Sequence, residues 1–177
     1  NIVWGQKGNY LEAPTDCPQR DERLGWTGDA QFFMPTALYT ADIGAFHTKW
    51  LVDLVQDSQH ENGSFAHVSP DVGIGAGAVA WGDAAMICPH LMHRFYGDTR
   101  VIERHFDNLV RGMDFLERTS ADFIRKDLGF GDWLNLGGGA KDEVICTAYY
   151  AYLARIMSEM AGVIGRNEEA ARYAELY

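Results

Sequence analysis

From Asp98 onward, apolar residues fall at Ile102, Phe106, Leu109, Met113 and Leu116, stepping by 4, 3, 4 and 3. That rhythm lines one side of an α-helix; a strand cannot use it, because its side chains alternate faces at every residue. Asp98 offers the side-chain oxygen that caps the start of this helix, which the periodicity carries to about Arg118. Similar spacing recurs on both sides. Residues 30–57 read as two helices, or one kinked helix, interrupted by Pro35 and Gly44. Ala80–Phe95 reads as a helix kinked at Pro89 and ended by Tyr96-Gly97. Ile145, Tyr149, Tyr152, Ile156, Met160 and Val163 mark a long helix stopping at Gly165. Asn167 caps a last one, with Glu168 and Glu169 placed favourably against its dipole. Glycine-rich loops separate these helices at His60–Ala78, with a short strand near Ser64–Val68, and at Gly129–Ala140. Six or seven helices in antiparallel succession predict an all-α fold, an α/α barrel or toroid. The lack of a fixed-period repeat argues against a regular solenoid.

At 177 residues the chain is large enough for one domain with a real core. Fifteen basic residues against 25 acidic ones give a formal charge of −10, which argues against nucleic acid as a partner. A strongly anionic polymer is mildly disfavoured, and a neutral ligand is left open. No apolar run approaches the roughly 20 residues that span a bilayer, so no membrane partner is expected. The chain opens Asn1-Ile2-Val3-Trp4-Gly5, without a starting Met or a basic-then-apolar leader. It is therefore expected to begin inside a longer protein, and its compartment, cytoplasmic or secreted, stays undetermined.

Chemistry concentrates in Asp16-Cys17-Pro18-Gln19-Arg20-Asp21-Glu22-Arg23-Leu24-Gly25-Trp26-Thr27-Gly28-Asp29. Four carboxylates, two arginines and an indole in fourteen residues exceed what a packed core needs. They suit a site that grips a polyhydroxylated ligand: acids bind hydroxyls and protonate a leaving oxygen, while the indole faces a sugar ring. If the segment after Pro18 is helical, Glu22, Trp26 and Asp29 share one face. A solvated helix start laced with salt bridges would explain Asp21-Glu22 alone. Trp26, Asp16 and Asp29 tip the balance toward a ligand site.

Trp81-Gly82-Asp83 and Gly131-Asp132-Trp133 repeat the pairing of indole, glycine and carboxylate, good sugar-binding chemistry. Either tryptophan taken singly could be a core anchor. Trp50, at helical spacing from Phe46, reads as core. Cys17, Cys88 and Cys146 are an odd set without metal spacing; Cys88 and Cys146 read as core, and Cys17 adjoins the charged motif. His90 and His93 lack a third partner, so no metal site is expected, and no cofactor. Gly73, Gly75, Gly77 and Gly82 lack the phosphate-loop pattern, and Asn62-Gly63-Ser64 matches a glycosylation sequon.

The whole chain resembles the bacterial-type α-L-rhamnosidases, glycoside hydrolase family 78. The resemblance rests on Asn9-Tyr10-Leu11 and Pro14 to Gln31, then Asn62-Gly63, Ser69-Pro70-Asp71, Trp81 to Ala85, Gly131 to Leu134 and Thr147-Ala148-Tyr149, in that order. It implies a partial (α/α)6 barrel of six-hairpin type, with about half its helices in residues 1–177. The chain would then be one fragment of a catalytic domain, truncated at both ends. The implied reaction is inverting exo-hydrolysis of terminal α-L-rhamnose from a rhamnose-containing glycoside. By the same resemblance Glu22 is the general acid, and Asp16 and Asp29 hold rhamnose hydroxyls. Trp26, Trp81 and Trp133 wall the sugar, notably its C6 methyl. Arg20, Asp83 and Asp132 join the expected sugar contacts. The family's general base lies in a Trp-Glu motif, followed by a histidine, that nothing in residues 1–177 matches. The chain alone is therefore expected to be inactive and poorly folded, with the rest of its own catalytic domain as its partner. Two rivals stay open: another glycosidase on the same barrel, and a non-catalytic rhamnose-binding homologue.

Overall fold

The stripe that begins at Ile102 forms α5, Arg100–Thr119, with Ile102, Phe106, Leu109, Met113 and Leu116 all buried. The residue flanking the helix is Thr99 rather than Asp98; Asp98 stands one position earlier, its Oδ1 accepting the Arg100 backbone N–H at 3.0 Å. In this computed structural model the described residues are 1–126, 129–137 and 139–177. Among them are α1 (Ile2–Asn9), α2 (Thr27–Thr40), α3 (Gly44–Val52), α4 (Ala84–Tyr96), α5, α6 (Asp142–Val163) and α7 (Asn167–Leu176). Residues 30–57 therefore hold two helices, and Pro35 sits inside α2 without ending it. A π-helical turn, Asp53–Asp57, extends α3.

Alternate helices build the inner layer. α2 packs on α4 and α4 on α6, while α3 and α5 lean on α4 from outside and α7 pairs with α6. This two-layered succession is a partial helical barrel. Its core runs through Met34, Trp50, Leu54, Met86, Phe106, Leu153 and Met157. Trp50 is fully buried, as its spacing predicts, and its indole N–H donates to the Ser69 carbonyl at 3.3 Å. Cys88 and Cys146 are buried too.

Several expectations need correction. The segment after Pro18 is not helical: residues 18–22 turn, and α2 starts only at Thr27. The strand near Ser64–Val68 reduces to isolated bridges, among them Trp26 with Val68 and Ala66 with Ala76. The helix expected from Ala80 starts at Ala84, because Ala80 takes φ +66°, outside any right-handed helix. The buried face of α6 is also rotated from the expected stripe. Cys146, Tyr150, Leu153, Ile156, Met157 and Met160 are buried, whereas Val163 is exposed and Ile145 and Tyr149 line a cavity. The Gly129–Ala140 loop is a loop where described; residue 138 lies outside the described residues.

A two-stranded ribbon, β1 (Ser120–Ala121) and β2 (Ile124–Arg125), follows α5. Asp122 and Phe123 turn it with φ +49° and +64°, the two positive values a tight hairpin wants. This turn sends Arg125 into the interior, where it is 2% exposed. Among the described residues no helix is long and apolar enough to cross a membrane.

Candidate active site

The inner helices start side by side, and their N-terminal ends enclose a cavity of about 520 Å³. α2 contributes Gly28, Asp29, Phe32 and Phe33; the approach to α4 contributes Val79, Ala80 and Trp81; Ile145 and Tyr149 come from α6. Gly131, Asp132 and Trp133, from the loop before α6, complete the lining.

The aromatic side of this cavity is interlocked. Phe130 lies 4.5 Å from Trp81, 5.7 Å from Trp133 and 6.1 Å from Trp26 between ring centroids. Trp81 meets Trp133 edge-on at 6.1 Å. These tilted and edge-to-face contacts are the ones aromatic quadrupoles favour. His67 closes the back, its ring 5.2 Å from Phe130 and its Nε2 accepting the Ala78 N–H at 3.1 Å. Burial pushes the His67 pKa down, which keeps the imidazole neutral and able to accept.

Why the indole of Trp81 can lie flat on α2 is written in Gly28. A Cβ at that position would meet the Trp81 ring at 2.7 Å. Thr27, fully buried beside it, stitches the start of α2 to both neighbouring loops. Its backbone N–H donates to the His67 carbonyl at 3.0 Å, and its hydroxyl lies between the carbonyls of His67 and Trp81, at 2.9 and 2.8 Å. Among the described residues the indole nitrogens of Trp26 and Trp81 meet no hydrogen-bond partner.

The acidic segment forms a separate, exposed arm. Asp16 clasps Leu24 twice: the Asp16 N–H donates to the Leu24 carbonyl at 3.0 Å, and the Leu24 N–H donates to Asp16 Oδ1 at 2.9 Å. Arg23 ties the arm back to α1, donating to the Gly8 carbonyl at 2.7 Å. Within the arm, ligand atoms of Asp16, Cys17 and Glu22 lie within 4.8 Å of one another. Glu22 also pairs with Arg20 at 2.7 Å. Asp29 stands between arm and wall. The groups packed around its carboxyl desolvate it, and with the charge of Asp16 and then Glu22 they raise its pKa above the ordinary carboxylate value.

The structure thus brings together Asp16, Arg20 and Glu22 on the arm, and Trp26, Trp81, Asp132 and Trp133 on or beside the wall, with Asp29 between. The Asp132 carboxylate organises its own loop, accepting from Asn135 at 2.5 Å and from the Ala140 N–H at 3.1 Å. Asp83 is set apart. It is 1% exposed, lies behind the wall and pairs with Arg125 at 2.8 Å. Sequence reading missed Phe130, Phe32 and Phe33; Phe130 directly precedes Gly131-Asp132-Trp133, and that adjacency was the usable signal.

The model of the bacterial α-L-rhamnosidase six-hairpin glycosidase domain matches residues 1–177. An α-L-rhamnosidase of Streptomyces avermitilis is 44% identical over all of this chain, and one of Formosa agariphila is 41% identical. The chain spans 17% and 20% of the length of these two relatives. Among solved structures, S. avermitilis α-L-rhamnosidase complexed with L-rhamnose superposes with a TM-score of 0.92 at 41% identity, over 99% of this chain and 17% of that one. The Dictyoglumus thermophilum α-L-rhamnosidase gives 0.93 at 35% identity, over 99% of this chain and 20% of its own. An arm of acids beside an aromatic wall, on helices that superpose this closely, leaves one assignment: the chain belongs to the six-hairpin glycosidase domain family of bacterial α-L-rhamnosidases.

Proposed function

We propose that residues 1–177 form the acid-bearing section of an enzyme that removes terminal α-L-rhamnose with inversion, acting on chain ends. The observation that carries this is the meeting of arm and wall at the start of α2. Glu22 and Asp16 sit at one edge, the Trp81–Phe130–Trp133 cluster sits at the other, and Asp29 lies between.

In this reading Glu22 protonates the glycosidic oxygen as the bond to the anomeric carbon breaks. Asp16 and Asp29 accept sugar hydroxyls. Arg20 donates to one, and in doing so releases the Glu22 carboxyl that it otherwise engages. Trp26, Trp81, Trp133 and the Asp132 loop hold the ring, and the apolar surface accepts the C6 methyl that distinguishes rhamnose. An inverting reaction also needs a carboxylate base on the opposite face, roughly 6.5–9.5 Å from the acid, to activate water. We assign that base to a part of the catalytic domain outside residues 1–177, so this section alone turns over no substrate.

The test compares 4-nitrophenyl α-L-rhamnoside with the matching α-L-mannoside, which differs by a 6-hydroxyl, and with a glucoside, using the full-length protein that carries this chain. Release from the rhamnoside is expected to exceed that from the mannoside by about 10²-fold, the order at which apolar pockets reject an added hydroxyl. Equal release from both would contradict the role of the wall. Binding of rhamnose without any release would favour a non-catalytic homologue.

A further inference from the structure

Behind the wall lies an ion pair that the chemistry above does not use. Asp83 and Arg125 have side chains only 2% exposed. Asp83 Oδ2 accepts twice, from Arg125 Nη1 and from the Ala80 backbone N–H, each at 2.8 Å. Arg125 Nη2 donates to the Gly77 carbonyl at 3.2 Å. One fork thus spans both ends of the segment 77–83 that presents Trp81.

This segment is one layer thick. Ala80 and Trp81 line the cavity on its outer side, while Gly77, Gly82, Asp83 and Arg125 line a small void on its inner side. Its fold is not one the chain adopts unaided. Ala80 holds φ +66°, a conformation L-residues avoid unless surroundings impose it. The bond from its N–H to Asp83 is the imposing contact, made three residues ahead and anchored by Arg125 from β2. Buried ion pairs are weak stabilisers, since apolar replacements often match them, so stability alone does not account for this one.

We propose that Asp83 and Arg125 are positioning residues: they fix the left-handed turn at Ala80, hence the orientation of Trp81, and through it the affinity of the site for its sugar. This rests on the reading of Trp81 as a sugar-facing wall. It gives Asp83 a task other than contact with the sugar.

The experiment measures KM, kcat and melting temperature on an aryl α-L-rhamnoside, using the full-length protein. In Asp83→Leu/Arg125→Met the charges leave together and the Ala80 N–H loses its acceptor. KM is expected to rise about tenfold with kcat within about threefold, a loss typical of slight misplacement. In Asp83→Asn/Arg125→Met an amide oxygen restores the acceptor, and KM is expected to return to within about threefold of the parent. Should the leucine variant fail to accumulate, Arg125→Lys serves instead. It keeps the charge without the fork, and KM is expected to rise about threefold. A parental KM in every folded variant overturns the proposal, as does an equal rise in both double variants. Trp81→Ala separates the two levels. If it raises KM while the pair variants do not, only the positioning role fails; if it leaves KM unchanged, the wall reading fails and the positioning role with it.

Discussion

The wall and the arm of this site are built on opposite principles. Thr27, Gly28 and Trp81 are buried, and each meets a neighbour far away in sequence. Asp21 and Glu22 are exposed, on a turn held mainly by the Asp16–Leu24 clasp and the reach of Arg23 to α1. A surface proposed to recognise a ring must be rigid to discriminate, and this one is made from core. Glu22, the proposed proton donor, must meet a moving oxygen and exchange partners, and it stands in solvent beside Arg20. Substitutions in the two regions should therefore fail differently: those in the arm lose turnover, and those in the wall lose stability and sugar affinity.

Glu22→Gln is the sharpest form of that contrast. Turnover by the full-length protein is expected to fall about 10²–10⁴-fold on a natural-type glycoside, the usual contribution of a positioned acid. Its unfolding free energy should stay within about 0.5 kcal/mol, as for other exposed substitutions. A denaturant melt that moved with the activity would erase the distinction between arm and wall.

Gly25 lies where arm becomes wall, and a Cβ there would come within 2.1 Å of the Ser69 carbonyl oxygen. Gly25→Ala is expected to cost about 3 kcal/mol in the same melt, at the upper end for overpacking against backbone. Thr27→Val removes the hydroxyl that lies between two buried carbonyls and should cost about 1–2 kcal/mol. An unchanged midpoint in both variants would mean that the wall is not rigidly braced.

The smallest effect concerns Asp29, between the regions. Its pKa is raised, so the folded state binds the proton more tightly than the unfolded chain. Its contribution to stability is therefore full below the ordinary carboxylate value and is lost as pH rises through the elevated one. Asp29→Asn should melt slightly higher than the parent at neutral pH, an advantage that disappears on acidification, while KM worsens. An Asp29→Asn protein that gained stability at acid pH and lost it at neutral pH would reverse the assigned sign.

How far these features could be read from the sequence depends on the range of the contacts. The stripe of α5 was legible because five apolar residues meet one core on one face. The α6 stripe was legible as helix but not as face, since Ile145 and Tyr149 turn toward the cavity and apolar periodicity does not distinguish cavity from core. Trp81-Gly82-Asp83 and Gly131-Asp132-Trp133 look alike on paper. What separates them is Arg125, brought against Asp83 by a hairpin that no local pattern ties to it. The Glu22 turn departs from the helical reading for a similar reason: the Asp16–Leu24 clasp and the Arg23 bond to Gly8 hold the chain in another path. Residue types with intrinsic chemistry were legible in the sequence; the partners they meet in the fold were not.

The central claim, that Glu22 donates the proton to the departing oxygen, is tested most directly by the leaving-group dependence of Glu22→Gln. Turnover is compared between an aryl rhamnoside with an activated phenol and one with an alkyl or sugar aglycone. A good leaving group needs little protonation, so its loss should be small, whereas the poor leaving group should lose about 10²-fold more. An equal loss on both would contradict the assignment and return Glu22 to a role in binding.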